Sequence, residues 1–240
     1  MRAALRMVAG HRLYGFLTAC LAMAYVFPVL AVAQPKIRMS EEMFDFGYLP
    51  DGPHVYHRYW LHNDGSDTLR ILAVQPSCGC TTLPLPTKQV RPADSVPLDL
   101  AFNTRYQNGK VQKSVLIVSN DKAMPEMRIQ FVSMVGEREG VARISPRAAY
   151  LDTLGKESQV FQITNTGDTL YKITVTSPPP DFMSLELTGY EIPAKGKVTA
   201  VLKPGPKTPI GVYTGSFTLR FDGPQPHSVT APIYGMGYYR

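Results

Sequence analysis

The stretch "YWLHNDGSDTLRI" at residues 59–71 returns as "FQITNTGDTLYKI" at residues 161–173. The two stretches align without a gap, 102 residues apart, and the offset holds well beyond them. A repeat unit of about a hundred residues is the size of an immunoglobulin-like β-sandwich, so the sequence predicts two of them in tandem. The pairs matched at this offset are Asn63 and Asn165, Gly65 and Gly167, Ile71 and Ile173, Gly109 and Gly211, Ser114 and Ser216, and the turns Asn120-Asp121 and Asp222-Gly223.

The composition agrees with an all-β fold. The 240-residue chain has 21 prolines and 19 glycines, and after residue 33 no stretch keeps a helical apolar period for three turns. We therefore predict one immunoglobulin-like domain at residues 36–138 and a diverged copy at 141–240, joined near Gly136 to Val141. The strands predicted in the first copy are His54–His62, Thr68–Val74, Ser95–Phe102, Lys113–Ser119 and Arg128–Val135.

Alternation along "VYHRYWLHN" (55–63) predicts which side chains enter the first core. Successive residues of a strand point to opposite faces, so Tyr59 and Leu61 face inward, with His57 on the same side. An outward aromatic strip is a candidate interaction surface, although a Trp half-covered at a domain junction is the alternative explanation. The outward residues are Tyr56, Arg58, Trp60 and His62.

The N-terminus has the pattern of an export signal. Arginines at positions 2, 6 and 12 precede an apolar run, Phe16 to Leu30, which ends in Ala31-Val32-Ala33. This order predicts a secretory signal peptide at residues 1–33, cleaved after Ala33. We expect the protein to be exported and to lie in the periplasm or at the cell envelope of a bacterium.

Two alternatives remain open for the same segment. Leu17-Thr18-Ala19-Cys20 is similar to a lipoprotein box, which would make Cys20 a lipid-anchored N-terminus. The apolar run is also close to the lower length limit of a membrane span, although Pro28 argues against an uncleaved anchor. Contact with a membrane is therefore expected only through this segment or a lipid anchor.

The charge does not favour nucleic acid as a partner. The formal net charge is +6, and the three arginines of the signal segment account for half of it. No basic cluster with interleaved aromatic residues is present in the sequence.

Four motifs give the first copy a family resemblance. They are "FDFGYLPDG" (44–52), "YWLHNDG" (59–65), "LRILAVQPSCGCT" (69–81) and "VSND" (118–121). Together they resemble the bacterial domain of unknown function 1573 family, whose modules are similar to the immunoglobulin-like domains of ciliary and centrosomal proteins. The resemblance spans residues 43–135 and is most specific at Ser77-Cys78-Gly79-Cys80-Thr81. It implies an immunoglobulin-like architecture and export, and it brings no established reaction.

The chain departs from the family pattern in two places. The second copy has Pro178-Pro179-Pro180 where the offset would place the cysteine run, which is why it is interpreted as a diverged sister. The segment Arg91-Pro92-Ala93-Asp94 stands where the family has a Pro-Gly turn, and an aspartate is compatible with such a turn.

Cys78 and Cys80 are the only cysteines after the signal segment, and three roles are open for them. In an extended strand their Cα atoms would lie about 6.5 to 7 Å apart, the outer limit for a disulfide, while Gly79 lets the backbone bend. Such a bond would close a very short loop and stabilise little. A redox pair would need a lowered thiol pKa, and no Lys or Arg is adjacent. A metal site would need further ligands, for which His57 is the candidate.

The sequence lacks a Gly-x-Ser-x-Gly elbow, a phosphate-binding loop and a zinc-helix motif, so we predict no enzyme activity and no cofactor. The leading hypothesis is an exported, non-catalytic tandem immunoglobulin-like module that binds a protein or a cell-envelope component, with strand addition at an exposed sheet edge as a mechanism. One alternative is a thiol/disulfide or metal-binding protein using Cys78 and Cys80. The other is a periplasmic pilus-type chaperone, which would need an edge strand with exposed apolar residues and a basic anchor between the domains.

Overall fold

The computed structural model describes residues 33–137, 140–152 and 158–238, and these residues form strands and turns without a helix. The fold-class prediction, all-β, is confirmed. The strands are β1 (Ile37–Met39), β2 (Met43–Leu49), β3 (His54–Asn63), β4 (Leu69–Pro76), β5 (Thr81–Thr82), β6 (Gln89–Val90), β7 (Ser95–Asn103), β8 (Gly109–Ser119), β9 (Glu126–Val135), β10 (Ala142–Ser145), β11 (Ala149–Asp152), β12 (Gln159–Asn165), β13 (Tyr171–Ser177), β14 (Met183–Leu187), β15 (Glu191–Ile192), β16 (Lys197–Pro204), β17 (Gly211–Asp222) and β18 (His227–Gly237).

The predicted signal peptide, its cleavage site and Cys20 fall on residues 1–33, of which all but Ala33 lie outside the described residues. Those predictions stay predictions. Within the described ranges, no helix has the length and apolar character needed to cross a membrane.

Strands β1–β9 form a first sandwich around one hydrophobic core, and β10–β18 form a second sandwich around another. In the first, the sheet β1-β3-β7-β5 packs on β2-β9-β8-β4-β6, and the rings of Phe102 and Phe131 meet between them at 5.0 Å. In the second, β10-β12-β16-β14 packs on β11-β18-β17-β13-β15, with Phe161 and Phe217 5.2 Å apart. The exact bounds of the two domains, 36–138 and 141–240, remain a prediction.

Asn63 shows why the Asn-x-Gly turn belongs to this fold. The side chain is fully buried, and its amide donates to the carbonyl oxygens of Asp67 (2.8 Å) and Val90 (3.0 Å). Its oxygen accepts the backbone N–H of Gly65 at 3.0 Å. One side chain thereby holds the turn between β3 and β4 and ties it to β6.

Asn165 makes the same bonds 102 residues later. Its amide donates to the carbonyl oxygens of Thr169 (2.7 Å) and Ile192 (3.2 Å), and its oxygen accepts the N–H of Gly167 (2.9 Å). These three partners correspond one by one to those of Asn63, so the offset seen in the sequence is also present in the hydrogen bonds. The repeat extends to the strand register, since β8 and β9 pair as β17 and β18 do.

The sequence predicts two tandem sandwiches, and the structure shows in addition that they share one sheet. Strand β18 runs parallel to β2, with Val229 beside Tyr48, so that one ten-stranded sheet passes through both. The other half of the same edge of β18 pairs with β11. This continuity depends on contacts between residues almost two hundred positions apart, which no local pattern in the sequence reports.

Asp121 links β1 to the turn between β8 and β9 through hydrogen bonds. Its buried carboxylate accepts the backbone N–H groups of Ile37 (2.9 Å), Ala123 (2.9 Å) and Met124 (3.2 Å). Burial on its own raises the pKa of this carboxyl, but the three hydrogen bonds outweigh it and hold the pKa below its usual value. The second copy has Gly223 at the matching position and lacks this bond.

We expect Asn63→Ala and Asn165→Ala each to lower the free energy of unfolding by about 2 kcal/mol, because both leave buried carbonyl oxygens without a donor. The exposed Asn108→Ala is the control and should change it by less than about 0.5 kcal/mol. Urea unfolding measures all three. Equal stability of the three variants would contradict the role assigned to the buried amides.

Asp121 predicts an acid sensitivity of the first sandwich. A carboxyl with a depressed folded-state pKa contributes stability above its unfolded pKa of about 3.9, and that contribution is lost as the pH falls through the folded value. Wild type should therefore lose more unfolding free energy between about pH 5 and pH 2 than Asp121→Asn does. The exposed Asp51→Asn should follow wild type, and a parallel pH dependence of all three proteins would refute the assignment.

Candidate interaction surface

Strand β3 has an edge that its own sheet leaves open. It is ten residues long, but β1 pairs only with its last three. At Tyr56 the gap is filled from the second sandwich: Ser216 Oγ accepts the N–H of Tyr56 (2.8 Å) and donates to its carbonyl oxygen (3.2 Å). Ser177 Oγ donates to the same oxygen at 3.5 Å. The second sandwich thus supplies hydrogen bonds that a neighbouring strand would otherwise make.

Further buried hydroxyl groups continue this junction along β2. Thr230 Oγ1 donates to the carbonyl oxygen of Phe46 at 2.6 Å and lies 2.8 Å from Thr218 Oγ1. Ser228 Oγ donates to the carboxylate of Asp45 at 3.2 Å. Short hydroxyl side chains therefore contribute to the contact between the sandwiches, and Tyr48 of β2 also packs against the second hydrophobic core.

Gly47 lets β2 approach β18 closely. Its φ of +63° is in the left-handed region, and Asp45 Oδ1 accepts its N–H at 2.8 Å. A Cβ at this position would lie 1.8 Å from the carbonyl oxygen of Ser228. Only glycine meets both conditions, the backbone conformation and the space.

His57 lies on the inward side of β3, as the alternation predicts, and its ring lies at the junction between the sandwiches. Its side chain is buried, with the ring stacked on Phe44 at 3.5 Å between centroids. Nε2 lies 2.8 Å from Glu41 Oε1 and Nδ1 lies 3.2 Å from Ser177 Oγ. Both ring nitrogens therefore have partners, one from each sandwich.

The four residues predicted as an interaction surface have different surroundings. Tyr56 contacts the second sandwich, as described above, and Trp60 is 40% exposed. The guanidinium of Arg58 is held by the two carboxylate oxygens of Asp99 (2.6 and 3.2 Å) and by Asp181 of the second sandwich (3.2 Å). Asp99 and Asp181 raise the pKa of Arg58 above its usual value. His62 is half-buried beside β1.

The outward face of β3 continues into aromatic residues of the second sandwich. The hydroxyl of Tyr56 lies 2.7 Å from Thr214 Oγ1, and Thr214 is the cross-strand neighbour of Tyr234. The Tyr234 ring stacks on Tyr150, with centroids 5.3 Å apart. Burial raises the pKa of Tyr234, and the nearby Tyr150 and Tyr56 add to the effect. We call Trp60, Tyr56, Tyr234 and Tyr150 the aromatic band.

Tyr150 and Tyr234 are not among the interaction residues predicted from the sequence. Each occupies an outward position of its strand, which is the only signal that a single sequence offers, and outward tyrosines are common. Their proximity to Tyr56 follows from the docking of the two sandwiches.

Cys78 and Cys80 are joined by a disulfide, with Cα atoms 5.2 Å apart. The cysteines do not lie in an extended strand: β4 ends at Pro76, and they lie in a turn before β5, which brings their Cα atoms closer than an extended strand would. The hydroxyl of Thr81 lies 3.5 Å from Cys78 Sγ and 3.9 Å from Cys80 Sγ.

The structure does not assemble the metal site considered from the sequence. The cysteine sulfurs are bonded to each other, and both nitrogens of His57 contact other side chains. In the described ranges, no group of three or more His, Cys, Asp or Glu side chains is arranged to hold a metal ion.

The sequence of the first sandwich matches a known protein family. Residues 37–135 match the sequence model of the family described as "Protein of unknown function (DUF1573)". The resemblance noted in the sequence is thereby confirmed, and the DUF1573 segment coincides with strands β1–β9. No curated protein is significantly similar to the chain.

Among solved structures, the chain is similar to a protein of unknown function from Porphyromonas gingivalis (12% identity, 82% of this chain and 98% of that chain, TM-score 0.34). It is also similar to the ASH/PapD-like domain 7 of human CEP192 (13% identity, 44% and 89%, TM-score 0.36). A third similar structure is the periplasmic chaperone SfaE (12% identity, 84% and 99%, TM-score 0.35). At these scores the likenesses support no conclusion about what the DUF1573 segment or its neighbour does.

We expect Gly47→Ala to destabilise the protein by about 3 kcal/mol, because the new methyl group collides with the backbone of Ser228. Gly52→Ala is a matched control, since Gly52 also has a positive φ but open space around it, and it should cost about 1 kcal/mol. Thermal and urea unfolding measure both. Equal losses would show that β2 does not approach β18 as closely as described.

Proposed function

We propose that this protein is an exported, non-catalytic binding module, and that the aromatic band is its contact surface for a protein or another component of the cell envelope. The support is that Tyr56 of the first sandwich contacts Thr214, whose cross-strand neighbour Tyr234 stacks on the exposed Tyr150 of the second, while the exposed Trp60 lies on the same face of β3 as Tyr56. Export is proposed from the signal-like N-terminus.

The band has the properties of a preorganised contact surface. Aromatic side chains offer a large contact area and lose little conformational entropy on binding, which is why tyrosine and tryptophan are enriched at binding hot spots. Tyr56 is fixed through its backbone and its hydroxyl, and Tyr150 and Tyr234 hold each other by stacking. Between Trp60 and Tyr56, Arg58 is fixed by Asp99 and Asp181.

The observations favour the pilus-type chaperone less. Of the edge strands described, β14 is the longest, but its outward residues are Ser184 and Glu186, while its apolar residues pack on the second core. Arg58, the basic residue between the sandwiches, is paired with two carboxylates and is not a free anchor. Strand addition at β14 remains a second route by which a partner could bind.

Tyr150→Ser and Trp60→Ser test the proposal. We expect each to lower the recovery of a cross-linked envelope partner at least fivefold in a pull-down with purified mature protein, because each removes an aromatic anchor worth about 1–2 kcal/mol. Tyr190→Ser is the matched control, since Tyr190 is as exposed as Tyr150 (62% against 63%) and lies outside the band. If Tyr190→Ser lowers recovery as much as Tyr150→Ser, or neither band variant does, the aromatic band is not the contact surface.

A further inference from the structure

The turn that contains Cys78 and Cys80 is fixed by two backbone hydrogen bonds. The carbonyl oxygen of Cys78 accepts the N–H of Thr81 at 3.4 Å, which closes the turn. The carbonyl oxygen of Cys80 accepts the N–H of Asn103 at 2.8 Å, which attaches the turn to the end of β7.

The second sandwich makes the same turn without cysteines. The carbonyl oxygen of Pro180 accepts the N–H of Met183 at 2.8 Å, and that of Phe182 accepts the N–H of Gly205 at 2.7 Å. These four residues stand 102 positions after Cys78, Thr81, Cys80 and Asn103. The second sandwich therefore shows the same turn with proline and phenylalanine in place of the two cysteines and with the backbone hydrogen bonds kept.

The disulfide is thus an addition to a turn that the fold can form without it. It also closes a loop of three residues, and so short a loop removes little entropy from the unfolded chain. Since neither turn formation nor chain entropy accounts for the bond, its sulfur chemistry is the remaining property that distinguishes this turn from its counterpart.

Both cysteines are half-buried, and the surroundings of their two sulfurs differ. Gly79, between the cysteines, is exposed, and no atom lies within 4 Å of the place where a Cβ would stand. Cys80 packs against the first hydrophobic core, whereas Cys78 does not belong to that cluster. An incoming thiolate therefore reaches Cys78 Sγ more easily, with Cys80 as the leaving group.

Thr81 is placed to assist that step. Its buried hydroxyl is within hydrogen-bond range of both sulfurs, at 3.5 Å from Cys78 and 3.9 Å from Cys80. Hydrogen bonds to a charged acceptor are stronger than those to a neutral one, so this hydroxyl stabilises whichever sulfur becomes a thiolate.

We propose that Cys78–Cys80 is a thiol–disulfide exchange site for an exported protein dithiol. A thiolate of the partner attacks Cys78 Sγ, the S–S bond breaks, and the Cys80 thiolate leaves and takes up a proton. The second thiol of the partner, as its thiolate, then attacks the partner's own sulfur in the mixed disulfide and releases Cys78, which is protonated in turn. Two electrons pass from the partner, which becomes a disulfide, to the Cys78–Cys80 pair.

Dithiothreitol serves as the probe dithiol for the first test. Thr81→Val should slow reduction of the native protein about tenfold, because it removes the hydroxyl that stabilises the leaving thiolate. The exposed Thr82→Val is the matched control on the same strand and should react as wild type does. Thiol labelling followed by mass spectrometry gives the rates, and equal rates for the two variants would overturn the role of Thr81.

The single-cysteine variants test which sulfur is attacked. With an aromatic disulfide reagent under native conditions, Cys78 in Cys80→Ser should react at least tenfold faster than Cys80 in Cys78→Ser. The opposite order would overturn the assignment of Cys78.

Reduction of wild type tests the site itself. We expect the reduced protein to keep its far-ultraviolet circular dichroism spectrum and its unfolding temperature within about 2 °C, because the second sandwich folds its turn without the bond. A disulfide that resists millimolar dithiothreitol in the folded protein, or whose reduction unfolds the first sandwich, would show a structural bond and overturn the proposal. None of these results depends on the aromatic band.

Discussion

The docking of the two sandwiches depends on backbone hydrogen bonds that β3 cannot make within its own sheet. Every backbone N–H and C=O group that leaves water needs a partner, and β1 is too short to supply one at Tyr56. Ser216 and Ser177 of the second sandwich supply the missing bonds through their hydroxyl groups. An unpaired buried group would cost about 1–3 kcal/mol, so this edge favours docking of the two sandwiches over two independent domains.

The other features of the junction follow from that docking. With β17 placed against β3, β18 comes alongside β2, and the glycine at position 47 removes the side chain that would keep them apart. His57 becomes a link between Glu41 and Ser177, and Arg58 a link between Asp99 and Asp181. The aromatic band exists because both sandwiches contribute to it.

Local patterns in the sequence predicted most of the fold within each sandwich. Alternation placed Tyr59 and Leu61 in the core, and the repeated Asn-x-Gly identified Asn63 and Asn165, because both signals lie within a few residues of the contacts they report. The conformation of the cysteine segment was left open, since Ser77-Cys78-Gly79-Cys80 has no alternation from which a strand or a turn could be predicted. The junction between the sandwiches could not be predicted from the sequence, because Ser216 is 160 residues from Tyr56 and nothing in the sequence around an outward serine indicates its partner.

The internal repeat is also the best guide to function. Where the two copies agree, as in the turn bonds, the shared feature belongs to the fold. Where they differ, one copy has gained or lost something: the first has the Cys78–Cys80 disulfide and the carboxylate of Asp121, which the second lacks.

Amide hydrogen exchange at Tyr56 tests the central claim most directly. Its N–H has Ser216 Oγ as its partner, so the rate reports whether the second sandwich stays on the edge of β3. If the two sandwiches form one body, this amide exchanges as slowly as the β3 amides that pair with β7, and Ser216→Ala speeds it selectively. Exchange of the Tyr56 amide at the rate of an unfolded chain in the wild-type protein would contradict the account.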